Sequence, residues 1–120
     1  MYYDNLPIYK SALDFCVYIE TIVKNFDKYT RYSIGEDLRI HSKELLFLIH
    51  RVNRAEDKNT HLNLLVEKCE ESKMLIQITK ELKVFKSFKQ FEYSSKLCVN
   101  ICKQSQAWFN HSKKIAGVLK

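Results

Sequence analysis

The chain predicts an all-α fold, an antiparallel up-down-up-down four-helix bundle, on three observations. Two glycines and one proline in 120 residues leave too few tight-turn formers for a sheet protein. Apolar side chains recur at alternating spacings of four and three, which holds one stripe along a helix and would scatter over both faces of a strand. Four such stripes follow one another, separated by short breaks near residues 29–33, 57–60 and 84–87. With 46% apolar and 28% charged residues the chain has the composition of a globular protein, and its length is that of one domain, residues 1–120.

The first helix is predicted over residues 7–28. Ile8, Ala12, Phe15, Ile19, Ile22 and Phe26 form its stripe, and Pro7 suits a first turn, where a missing N–H costs little. The second, over 33–56, opens on "SIGE", in which Ser33 and Glu36 have the form of a capping box. Its stripe is Ile34, Leu38, His41, Leu45, Leu48, Val52 and Ala55. The third, over 60–84, uses Leu62, Leu65, Cys69, Ser72, Ile76 and Thr79, widened by Leu75 and Leu82. The fourth, over 87–114, starts behind a second capping-box pair, Ser87 and Gln90. It presents Phe91, Ser94, Cys98, Ile101, Ser105 and Trp108, widened by Leu97 and Phe109, with Phe88 also facing the core. Short connections between long amphipathic helices make sequential neighbours antiparallel.

Several classes of function are excluded. The longest apolar run is "LLFLI" at 45–49, far short of a membrane span, and the N-terminus lacks the basic start and apolar core of a secretion signal. Cys16, Cys69, Cys98 and Cys102 lie inside apolar patterns without paired CxxC spacing, which fits free thiols in a cytoplasmic protein. Cys98 and Cys102 share a helix face and could in principle hold a metal with His50 or His111, but structural zinc prefers four clear ligands, so no metal site is predicted; His41 and His61 are dispersed from them. The Glu-x-x-His pairs of a di-iron bundle are missing, and two glycines cannot build a phosphate-binding loop. No catalytic residue and no cofactor are predicted.

Charge is the remaining signal. Residues 1–79 hold 11 basic and 12 acidic side chains, a balance of −1, whereas residues 80–120 hold 9 lysines against Glu81 and Glu92, a balance of +7. Lys89, Lys96 and Lys103 are seven apart and fall within about 40° of one another on a helix. Lys80, Lys83 and Lys86 extend this stripe around the predicted turn, and Arg51 and Arg54 form a second cluster. These eight residues are the candidate binding set. Two readings fit them: solvated helix faces, with some lysines answering the macrodipole, or a surface that holds a polyanion. Tyr2, Tyr3, Tyr93 and Trp108 are candidates for stacking on bases or for lining a subunit interface.

"LPIYKSALDFCVYIETIVKNF", "YSIGEDLRIHSKELLFLIHRVNRAEDK", "MLIQITKELKVFKSFKQF" and the late "WFNHSKK" resemble a small four-helix-bundle family. That family is known from intervening sequences in bacterial 23S rRNA genes and from diversity-generating retroelements, where the member is Avd, the accessory variability determinant. The resemblance runs over residues 6–114, and its strongest elements are the helix start at Tyr32 to Glu36 and the segment Leu48 to Asn53. It implies a homopentameric barrel without catalysis or cofactor that binds nucleic acid and the element's reverse transcriptase. Lys80 and Lys83 fall at the family's basic positions. In the rRNA branch it implies instead a protein-interaction scaffold with no direct nucleic-acid role.

Overall fold

Pro7 stands at the start of the first helix, where its missing N–H leaves no hydrogen bond unmade. From there the computed structural model describes residues 6–119, with side chains to residue 117. The described residues contain helices and connections and no strand. The helices are α1 (Pro7–Val23), α2 (Lys28–Arg31), α3 (Ile34–Arg54), α4 (Lys58–Glu81) and α5 (Phe88–Leu119).

The four long helices close a ring in which α1 packs on α3 and α5, and α4 packs on the same two from the other side. This leaves α3 diagonal to α5. Side-chain bridges establish the directions. Glu20, late in α1, meets Arg39 at 3.3 Å and Lys43 at 3.2 Å, both early in α3. Asn59 at the start of α4 accepts a hydrogen bond from Ser112, late in α5, at 2.6 Å. Ser11, early in α1, accepts from Asn100 and Gln104 of α5 at 3.2 and 2.9 Å. Neighbours therefore run antiparallel in a bundle 53 Å long.

The apolar stripes meet inside. Phe15, Ile19, Leu45, Ile49, Leu62, Leu65, Ile76 and Ile101 are fully buried, each stabilising the fold by about 1.5–3 kcal/mol through removal from water. On α4 and α5 the core is small and polar at several levels: Ser72, Thr79, Ser94 and Ser105 are buried. Each returns its hydroxyl hydrogen to the carbonyl four residues earlier, at 2.6–2.8 Å, so no desolvated donor is left over.

Local details differ from the sequence expectation where tertiary contacts compete. Helix α1 ends at Val23, before the expected 28, because the chain tightens into three-residue bonds, Asn25 to Ile22 and Phe26 to Val23, that turn Phe26 into the core. Ser33 stands at the N-cap of α3 but makes no side-chain capping bond: its hydroxyl donates to the Tyr29 carbonyl at 2.9 Å, and Glu36 pairs with Arg39 instead. Ser42, completely buried, takes the core position expected for His41, whose ring is half-buried and bonded to the Asp37 carbonyl. Leu82 and Phe88, expected inside, are 60% and 65% exposed because both belong to the α4–α5 reversal, beyond the reach of the ring of helices. Ser87 does cap α5: its Oγ accepts from the Gln90 N–H at 3.3 Å, and Gln90 Oε1 accepts from the Lys86 N–H at 2.8 Å.

Candidate nucleic-acid interface

Helix α4 ends in a left-handed residue. The Lys83 N–H bonds to the Lys80 carbonyl at 2.9 Å and the Val84 N–H to that of Thr79 at 3.2 Å, the paired bonds of a Schellman motif. Its geometry requires a positive φ at Lys83, and φ there is 60°. A lysine in that conformation costs roughly 1–2 kcal/mol relative to glycine, so a charged side chain occupies a position that backbone energetics would give to glycine. The reversal presents Lys80, Lys83, Lys86 and Lys89, all exposed, at one pole of the bundle.

Their surroundings differ. Lys80 Nζ lies 4.8 Å from the Phe91 ring centroid, a cation–π contact. Lys86 Nζ meets Asp27 at 2.8 Å across the bundle end, and that hydrogen bond with its attendant charge holds the Asp27 carboxyl below its ordinary value. Lys86 is thereby partly neutralised. Lys89, Lys96 and Lys103 continue from the pole along the outer face of α5, opposite the buried Cys98 and Ser105, at a rise of about 10 Å per seven residues.

Arg51 and Arg54 do not join this set. They occupy the last turn of α3 at the other pole, separated from Lys80 by the length of α4, about 36 Å for its 24 residues. There they complement the helix C-terminus together with Lys58, whose ammonium donates to the carbonyls of Val52, Asn53 and Ala55 at 3.0–3.2 Å. Their placement serves α3.

Of the aromatic candidates, Trp108 is half-buried beside Leu6, Pro7 and Ile8, and Tyr93 sets its ring edge-on to Tyr18 at 4.7 Å. Tyr2 and Tyr3 lie outside the described residues. Sequence reading missed Tyr29 and Tyr32, which are 83% and 66% exposed at the lysine-bearing pole. The signal was the "KYTRY" run inside a break between stripes, where periodicity has nothing to report.

The cysteines are free thiols. Neighbouring Cys102 and burial push the Cys69 thiol far up; for Cys102 the bond from Cys69 acts to lower the value, but the Cys98 contact and burial outweigh it and raise the thiol to about 12. Both stay protonated at neutral pH. Among the described residues no group of three His, Cys, Asp or Glu side chains is placed to hold a metal ion. Nor is any described helix long and apolar enough to cross a membrane.

Fold and surface together define a four-helix bundle with a row of exposed lysines on one helix and a pole that carries lysines and exposed aromatic rings. Comparison with protein-family models, with curated proteins and with solved structures finds no match for the chain.

Proposed function

We propose that the protein is a non-catalytic, oligomeric accessory protein that binds nucleic acid electrostatically. The observation that carries this reading is the exposed series Lys80, Lys83, Lys89, Lys96 and Lys103, five of the nine lysines that give residues 80–120 their positive balance. So one-sided a field repels itself unless a polyanion offsets it. The resemblance to the Avd and rRNA intervening-sequence family supports a homopentamer and, in a retroelement setting, a role beside a reverse transcriptase in the cytoplasm. A surface for self-association is at hand. Ile40 and Phe47 on α3 and Leu64, Met74 and Ile78 on α4 are 46–59% exposed, on the outer faces of two adjacent helices. Because α3 lies diagonally across from α5, assembly through α3 leaves Lys89, Lys96 and Lys103 of α5 uncovered.

Titration of RNA and DNA at 50 and 200 mM salt tests the reading. If about four phosphates are neutralised, affinity falls roughly 100-fold over that range; no binding at the lower salt refutes it. The apolar α3–α4 side favours a second reading, a protein-interaction scaffold of the intervening-sequence type. In that case light scattering gives a multiple of the 14.3 kDa protomer that takes up no nucleic acid.

A further inference from the structure

The four most exposed large apolar side chains among the described residues are Tyr29, Tyr32, Phe88 and Leu82, at 83%, 66%, 65% and 60%. They come from two segments 50 residues or more apart in sequence, yet all stand at the pole that carries Lys80, Lys83, Lys86 and Lys89. The Asp27–Lys86 pair ties the two segments together at 2.8 Å. A groove of about 560 Å³ is lined by Tyr29 and Tyr32 from one segment, by Leu82 and Val84 from the other, and by Glu36 and Asp37. A neighbouring hollow of about 540 Å³ is walled by the same two tyrosines with Lys28 and Ser33. The tyrosine pair therefore has open space along two sides.

Local packing holds these rings out. Arg31 sits over the Tyr32 ring at 5.2 Å and anchors its own guanidinium on the Lys24 carbonyl at 3.3 Å, so one ring face is backed by a fixed cation. Phe88 leans on Phe91 at 5.7 Å, and Phe91 on Phe85 at 6.1 Å, a chain of rings that leads back to buried Phe26.

We infer that this pole is a platform for single-stranded nucleic acid, with Tyr29, Tyr32 and Phe88 stacking on bases while Lys28, Lys83 and Lys89 hold phosphates. The inference rests on the nucleic-acid reading above and names its substrate class. Flat rings beside a cationic track suit a single strand, since every unpaired base offers a π-face, whereas a duplex hides its base faces and would engage the lysines alone. Glu36 and Asp37, which line the groove, repel phosphates from it and leave them to the lysines elsewhere on the pole. Carboxylates there accept hydrogen bonds from exocyclic amino groups, as Asp and Glu do from cytosine. An aliphatic protein partner would gain little from the exposed lysines of the pole, which call for a polyanion.

The test is fluorescence anisotropy of a labelled 20-nucleotide single-stranded DNA and of its duplex at 50 mM salt, with the intact chain. Variants are Tyr29→Ala/Tyr32→Ala, Tyr29→Phe/Tyr32→Phe and Phe88→Ala, each checked for an unchanged melting curve. The platform predicts tighter binding of the single strand than of the duplex. The double alanine variant is expected to lose about 10–100-fold for the single strand and nothing for the duplex, while the phenylalanine pair restores binding. Equal affinity for both forms, or alanine variants that bind the single strand as well as wild type, overturns the platform and leaves electrostatic binding standing. Binding of neither form overturns both readings.

Discussion

Replacement of Lys83 by glycine separates two roles that one residue now combines. At φ 60° the lysine Cβ is crowded against the backbone, a strain of roughly 1–2 kcal/mol that glycine lacks. Glycine returns part of that gain through the greater freedom of its unfolded chain, about 0.4–1 kcal/mol. The net expectation is a stabilisation of about 0.5–1 kcal/mol, or roughly 2–4 °C in melting temperature for a domain of this size. The Schellman bonds from Lys83 and Val84 use backbone atoms alone and survive the change. Lys83→Ala is the control, since it removes the same charge and keeps the Cβ. Urea denaturation of wild type and both variants provides the measurement. Glycine is expected to raise the midpoint and alanine to leave it within about 0.5 kcal/mol of wild type, while both weaken nucleic-acid binding alike. A glycine variant no more stable than the alanine variant refutes the reasoning about strain.

Other perturbations probe the frame. At Gly35 a Cβ would meet Val23 Cγ1 at 2.8 Å and the Thr30 carbonyl oxygen at 2.9 Å, so Gly35→Ala should destabilise by about 1–2 kcal/mol despite alanine's helix propensity, measured by urea midpoint. Lys58→Met removes the ammonium from three α3 carbonyls; a loss of about 1–2 kcal/mol is expected, and an unchanged midpoint would show that water replaces it without penalty. The Asp27 carboxyl titrates below its ordinary value of 3.8 because of Lys86. Its contribution is therefore present above that value and disappears as pH falls through the lower, folded one. Melting of Asp27→Asn should differ from wild type at neutral pH and converge with it once the pH lies well below the ordinary carboxylate range, and a constant difference would count against the pair.

Much of the architecture was legible because helix formation and burial are written in local spacing. The stripe Ile8, Ala12, Phe15, Ile19, Ile22, Phe26 is buried throughout, as is Leu62, Leu65, Cys69, Ser72, Ile76, Thr79. A four-three period does not depend on which helix lies opposite. The failures are equally instructive. Ser33 and Glu36 look like a capping box in one dimension, but the chain arrives from α2, and the Tyr29 carbonyl reaches the hydroxyl first. Leu82 and Phe88 continue the periodicity past the last residue that has a neighbouring helix to cover it.

The candidate site divides along the same line. Composition and spacing already placed the positive charge on the last third of the chain and set Lys89, Lys96 and Lys103 on one face, because both are properties of a single helix. The separation of Arg51 and Arg54 from Lys80 follows from alternating helix direction, which puts successive C-termini at opposite poles. The meeting of Tyr29 and Tyr32 with Leu82 and Val84 is a different matter. It needs α2 folded over the end of the bundle and the α4–α5 reversal turned toward it, two irregular connections without a period. Their positions depend on long-range packing around Gly35, Phe26 and Phe85, and contacts between residues more than fifty apart leave no trace in local pattern.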